Sequence, residues 1–489
     1  MTRNKRLRFA AAIAACAALV LTGCSESAEA AQSGPGQENP WQIAGATSST
    51  GPSGPRPDAP DAPIQAENGD GGPMDQLALN AVYDVQEFWK KEYSKTFPGT
   101  FEPVQQLISW SALAPKSEAV EFCTIDTYQM VNAAYCGSDH SIGWDRGVLL
   151  PELVKEFGDM SVVMVLAHEY GHALQGQAKI SDRRTPGLVR EQQADCLAGV
   201  YLRYVAEGDS QYFTMNTTDG LNGVLGATVA VRDRDPDDPD NVHGSAFERV
   251  TAVQMGYTSG AEACKAINED EIEQRRAGLP ITFEDDHGER QLPVDQESLV
   301  SVANAAAEAL PSDAAPQYDY SGVASSCSGV TVTQPVSYCP DANSIGTDIP
   351  ALAERAGPLE DEDKPLSAIV SGDYNAYVVF ISRYTLAVQK ARGLSLEGAD
   401  TAGLRTSCLS GAITTELSKP GREVQLSAGD LDEAISGLLS DGLAASDVNG
   451  ETVESGYLRL EAFRLGVLEG EAALLECSTA LPLILLTRR

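Results

Sequence analysis

Residues 165–176 read VLAHEYGHALQG and hold two of the five histidines of a 489-residue chain. The wider stretch GDMSVVMVLAHEYGHALQG predicts a helix, with Asp159 or Ser161 as N-cap and Gly176 near its end. Val163, Leu166, Tyr170 and Ala173 recur at three- and four-residue spacing and form one apolar face. His168 and His172, four residues apart, fall on the opposite face, where both imidazoles can meet one divalent cation such as zinc. Glu169 projects beside them as a base for a metal-bound water. An HExxH pentapeptide also arises by chance, so the flanking sequence has to decide.

VREQQADCLAGVYLRYVAEG predicts a second helix, opening at Thr185-Pro186 and stopping at Gly208. A catalytic zinc takes three protein ligands and keeps one position open. Glu191 lies on this second helix. Asp195 shares its face and is placed to accept the second ring N–H of a ligand histidine, fixing its tautomer. His243 opens a third helical stretch. It is a candidate donor to the oxyanion formed when water attacks a carbonyl, the alternative being a histidine that only bonds locally. His140 and His287 read as loop residues at the surface. The acidic run DRDPDDPDN at 233–241 offers oxygen ligands to calcium but lacks EF-hand spacing, and reads as a solvated loop.

This arrangement resembles the gluzincins, whose thermolysin-like members carry HExxH followed by a helix bearing ExxxD. It is more similar still to the bacterial neutral zinc metallopeptidase family. The resemblance runs through DVQEFWKKEYSKTF at 84–97, AAYC at 133–136, HEYGHALQ at 168–175, REQQADCLAG at 190–199 and HGSAFERVTAVQMGY at 243–257. It implies His168, His172 and Glu191 as zinc ligands, Glu169 as general base, and a zincin-like fold. SAFER at 245–249 departs from the family's more glutamine-rich version and leaves the role of this helix open.

The chain also repeats itself. Cys123 and Cys136, with a following Ser-Ile-Gly, parallel Cys327 and Cys339; CLAGVYL from Cys196 parallels CLSGAIT from Cys408; the segment ending at Cys264 parallels the one ending at Cys477. HEYGHALQ aligns with SRYTLAVQ at 382–389, so His168, Glu169 and His172 become Ser382, Arg383 and Leu386, and Glu191 falls opposite Gly403. An arginine in place of the base repels a dication. A duplication is expected, with a metallopeptidase copy at 75–290 and a degenerate, metal-free copy at 291–489. The repeat implies the disulfides Cys123–Cys136, Cys196–Cys264, Cys327–Cys339 and Cys408–Cys477. The second copy reads either as a packing domain or as a surface that recruits substrate or an envelope protein partner.

MTRNKRLRF and the apolar run after it form an export signal over residues 1–23. Leu21-Thr22-Gly23-Cys24 resembles the lipobox of bacterial lipoproteins, which implies cleavage before Cys24 and lipid on it. Residues 24–74, rich in Ser, Gly, Pro and Asp, read as a disordered tether. Seventy acidic against 35 basic residues give a net charge of −35, which disfavours nucleic acid as a partner. The fold expected is α+β and mainly helical: a zincin-like domain followed by its degenerate copy. The function expected is an exported, lipid-anchored zinc metallopeptidase acting on peptides or proteins at the outer face of a bacterial cell membrane. The alternative is a non-catalytic envelope scaffold with a structural or vestigial zinc.

Overall fold

Alternating apolar residues build small sheets, and three- and four-residue apolar spacing builds the helices that cover them. In this computed structural model the described residues are 42–43, 46–47, 51–233, 242–276, 291–358, 364, 366–419, 424, 426–427 and 429–479. The export signal, Cys24, His287 and residues 234–241 of the acidic run lie outside them. A short hairpin, β1 (Gln42–Ile43) with β2 (Ala46–Thr47), precedes β3 (Gly54–Pro55) and helix α1 (Pro73–Thr96). Then come β4 (Gln106–Trp110), β5 (Glu121–Phe122), β6 (Ile125–Asp126), β7 (Ala133–Cys136) and β8 (Ser141–Asp145). Helices α2 (Leu149–Phe157), α3 (Asp159–Ala178) and α4 (Gly187–Ala206) follow. After β9 (Phe213–Thr214) come α5 (Asp219–Ala230), α6 (Ala246–Ser259), α7 (Ala261–Ala266) and α8 (Glu269–Arg276).

The second half runs through the same order. It comprises α9 (Gln296–Ala309), β10 (Gln317–Asp319), β11 (Val336–Cys339), β12 (Ser344–Thr347), α10 (Ile349–Ala356) and α11 (Tyr374–Ala391). It ends with α12 (Leu404–Leu417), α13 (Asp430–Ser440), α14 (Gly456–Glu469) and α15 (Glu471–Thr479). Each half has a three-stranded sheet, ordered β4-β8-β7 and β10-β12-β11, whose first pair is parallel and whose second is antiparallel. Even the register repeats, with Cys136 opposite Ser141 and Cys339 opposite Ser344. The fold is therefore mixed α+β and mainly helical, and it is duplicated.

All four disulfides form in the pairing the repeat implied. They place the chain in an oxidising, extracytoplasmic environment. Among the described residues no helix is long and apolar enough to cross a membrane. Glycine sets the closest helix crossing in both halves: a Cβ on Gly199 would stand 2.1 Å from the Val253 carbonyl oxygen, and one on Gly411 2.1 Å from that of Phe463. One hydrophobic core runs through both copies, and Glu38–Arg489 forms a single unit.

The structure corrects two details. Residues 51–74 are not a free tether: β3 pairs with β9, the Ala62 N–H donates to Asn80, and the Arg56 N–H donates to the Tyr212 carbonyl. Composition registers too little apolar area there, but hydrogen bonds to the body supply the anchorage. The cap of α3 is Gly158, with φ of 80°, rather than Asp159 or Ser161, because α2 ends on the same glycine and the chain must turn sharply between the two.

Candidate metal centre

Helix α3 is buried on nearly every side, so the face opposite Val163 and Leu166 meets protein rather than solvent. That other neighbour is α4. The contact depends on Gly171, the glycine inside HEYGH, because a Cβ there would stand 2.9 Å from Ala194 Cα and 3.0 Å from its carbonyl oxygen. With the backbones this close, Glu191 reaches across to the histidines. Its Oε2 lies 3.2 Å from His168 Nε2 and 3.5 Å from His172 Nε2. The three donor atoms lie within 4.8 Å of one another.

Each imidazole is held from behind. His168 Nδ1 pairs with Asp195 Oδ1 at 2.7 Å, and His172 Nδ1 with Gln175 Oε1 at 3.2 Å. Gln175 is itself fixed, since its Nε2 donates to the Arg190 carbonyl and to Gln193 Oε1. Acceptors at both Nδ1 atoms fix the tautomer that presents a lone pair at Nε2. Asp195 is wholly buried, and Arg249 on α6 grips it with two hydrogen bonds of 2.9 Å, Nε to Oδ2 and Nη2 to Oδ1. Burial would raise the Asp195 pKa, but the Arg249 guanidinium and His168 hold it below the usual carboxylate range.

The field at the site favours positive charge. Burial works against an imidazolium at His168, yet Asp195, Glu191 and Glu169 outweigh it and push that histidine up to about 10. Glu191 is held far below its ordinary value, the two histidines overcoming the cost of its burial. The potential that draws a proton to this spot also draws a divalent cation, and a two-histidine, one-carboxylate set with fixed tautomers suits one of intermediate softness.

Glu169 lies beside the pair. Its Oε2 accepts the backbone N–H of Tyr135 at 2.8 Å, so the end of the sheet holds the carboxylate in place. His243 sits two residues before the Ser245 cap of α6, with its side chain 48% exposed. Its Nδ1 pairs with Asp233 Oδ1 at 3.0 Å, and its Nε2 stands 4.0 Å from Glu191 Oε2, close to the three donors but not one of them. Asp233, the described end of the acidic run, thus faces the site; its carboxyl is held low by His243 and the Gly244 N–H, against burial. His140 lies in the turn after β7, where its Nδ1 pairs with the Tyr135 hydroxyl at 2.7 Å.

Comparison with family models, with curated proteins and with solved structures returns no match. The second copy supplies an internal comparison instead. Arg383, in the place of Glu169, is buried and donates to the carbonyls of Leu443 and Asp447 and to Ser446 Oγ. A Cβ on Gly403, opposite Glu191, would stand 2.8 Å from the Ala445 carbonyl oxygen. Backbone at 443–447 thus packs against both of these positions in the second copy, where Arg383 and Gly403 stand in place of Glu169 and Glu191. A gathering of carboxylates does occur in this half, Asp373, Asp430 and Glu433, but it lies at the starts of α11 and α13 and includes no histidine.

Sequence reasoning missed Gln175, Gly171 and Arg249, and read Asp233 only as part of a solvated acidic run rather than as the partner of His243. Gln175 carried a usable signal, three residues after His172 on the same helix. The Tyr135 N–H carried none, because a backbone donor leaves no mark on residue identity.

Proposed function

We propose that this chain is an extracytoplasmic zinc metallopeptidase with a zincin-like domain, similar to the bacterial neutral zinc metallopeptidases and tethered to the outer face of the membrane by lipid on Cys24. The observation that carries this reading is the convergence of His168, His172 and Glu191 within 4.8 Å, with Glu169 next to them on the same helix. His168 Nε2, His172 Nε2 and a Glu191 carboxylate oxygen would hold the ion. Zinc there supplies a Lewis acid that activates water at neutral pH and polarises a carbonyl.

The protein's own groups divide the remaining work. Tyr135 N–H occupies one oxygen of Glu169 and leaves the other to accept the proton of the attacking water. The same carboxyl then delivers that proton to the departing amine, so its charge is restored at each turnover. Asp233 orients the His243 ring with its Nε2 edge toward Glu191, and in the imidazolium form, which the Asp233 carboxylate supports, that edge carries the N–H that would stabilise charge developing on the peptide oxygen. Asp195 and Gln175 hold the two ligand rings so that they need not reorient during the reaction.

The test is Glu169→Gln in the purified chain, assayed with a peptide library and by metal analysis. Zinc content stays at one per chain, and turnover falls by about 10²–10⁴-fold, the span of a lost general base. Unchanged turnover would remove the assignment.

A further inference from the structure

The helix that grips Asp195 is seated by the other copy. Helix α6 exposes three N–H groups at its start. Ser245 Oγ takes that of Glu248, in a reciprocal capping box, while the N–H groups of Ala246 and Phe247 donate to Asp432 at 2.9 and 3.0 Å. Asp432 is buried and belongs to α13 of the second copy. Arg249 follows in the next turn of α6, and its fork runs to Asp195 and so to His168.

The reverse contact exists too. Asn222 on α5, the counterpart of Asp432, accepts the Gly456 N–H at the start of α14 at 2.7 Å and donates to the Glu454 carbonyl. The two copies thus cap each other's helices about a pseudo-twofold axis, as an isologous dimer would. The arginine also recurs: Arg459 on α14 occupies the place of Arg249. Arg459 donates to the carbonyls of Val453 and Leu439, as Arg249 Nη1 donates to that of Val231. Opposite Asp195, however, stands Ser407, which donates to the Arg459 carbonyl. Holding the end of the preceding helix is a structural duty common to both arginines. Gripping a carboxylate that backs a histidine occurs only in the first copy.

We propose that the second copy is a working part of the metal centre: Asp432 seats α6 so that Arg249 fixes Asp195, and through it the His168 ring, in ligating position. This rests on the metallopeptidase reading. Asp432 and Arg249 are positioning residues that act on the ligand ring without touching substrate.

The experiment uses the mature full chain as wild type, Asp432→Asn, Asp432→Ala, Arg249→Lys and the double variant Asp432→Asn with Arg249→Lys. Zinc affinity is read by competition with a chromophoric chelator. The metal-free readout is the downfield NMR resonance of the His168 ring Nδ1–H, assigned with His168→Gln. Arg249→Lys weakens zinc binding about 10- to 100-fold, the range for loss of a group that orients a ligand. Asp432→Asn, which keeps one acceptor for two donors, weakens it about 3- to 10-fold and broadens or shifts the resonance. The double variant binds about as poorly as Arg249→Lys alone, because both changes break one chain of contacts. Additive losses overturn the proposal. So does a folded Asp432→Asn or Asp432→Ala with wild-type affinity and an unmoved resonance. Should wild type bind no zinc, the metallopeptidase reading falls by itself, and the resonance alone decides whether Asp432 positions His168.

Discussion

Replacing Gly171 by alanine isolates what brings the three candidate donors together. The new Cβ would lie 2.9 Å from Ala194 Cα and 3.2 Å from Ala194 Cβ. Carbon atoms rest about 3.5–4.0 Å apart, so α3 and α4 must part by roughly 0.8 Å, and no flexible side chain can absorb the difference. Overpacking of this kind costs about 1–3 kcal/mol, and the helix propensity gained over glycine returns about 1 kcal/mol. Net destabilisation is then about 0–2 kcal/mol, a fall in Tm of a few degrees. The site suffers more. Glu191 lies one turn before Ala194, and a ligand shift of roughly 0.8 Å exceeds the ~0.2 Å tolerance of metal–ligand distances. We expect zinc affinity to drop on the order of 10- to 100-fold, comparable to loss of an orienting partner, while disulfides and fold persist. The assay pairs thermal melting with chelator competition on the same preparation. Wild-type zinc affinity in a folded Gly171→Ala protein would refute the argument that helix contact sets the donor spacing. The second copy agrees in advance: Thr385 occupies the equivalent position, where no ligands have to meet.

Three further outcomes follow from the same geometry. His243→Ala lowers kcat by about 10²–10³-fold, as for a lost oxyanion donor, and changes zinc affinity little; comparable loss of zinc in metal analysis would make His243 a ligand. Burial pushes the Asp373 carboxyl up to about 6 in spite of N–H donors from Leu292 and Tyr374, with Asp430 and Glu433 beside it. Because its folded pKa is raised above 3.8, the protonated form stabilises fully below that value and the contribution is lost as pH rises through about 6. Melting curves of wild type should therefore fall relative to Asp373→Asn between about pH 4 and 7; parallel pH profiles would contradict the shift. Finally, opening Cys196–Cys264, which closes 68 residues, costs roughly 4 kcal/mol, against roughly 3 kcal/mol for the 13-residue loop of Cys123–Cys136 in the chain-entropy model. Urea titration of the two double-serine variants ranks them; the reverse order would show that strain or residual structure outweighs loop length.

What could be read from the chain divides by range. His168 and His172 are a local pattern on one helix, and Glu191 with Asp195 repeats that pattern on the next, so residue identity and helical period suffice for them. The disulfides were legible because the duplication turned eight cysteines into two sets of the same four. Asp432 was not, since its partners are backbone N–H groups brought near only when the copies dock, and Arg249 was not, since Asp195 and the Val231 carbonyl come within its reach only through helix packing. Gln175 was legible in position but not in role: the same glutamine recurs as Gln389, which donates to Thr406 and marks no ligand. Residues 51–74 defeated composition for the opposite reason, being held by hydrogen bonds to the body together with a few small apolar contacts such as Ala62 in the core.

The duplication separates the two kinds of constraint within one molecule. Gly199 and Gly256 recur as Gly411 and Gly466, the four disulfide cysteines recur as four, and Arg249 recurs as Arg459. Whatever survives in both copies maintains helix crossings and helix ends. Asp195, Glu191, the two histidines, Glu169 and Gly171 have no counterpart of like chemistry: in the second copy Ser407, Ser382, Arg383 and Thr385 bond to other groups, Gly403 lies against backbone and Leu386 joins the apolar core. A set that differs as a unit, while the packing residues are shared, supports the proposed metal site: a lone histidine or a lone carboxylate adds little to binding until the others and the glycine that brings their helices together are present.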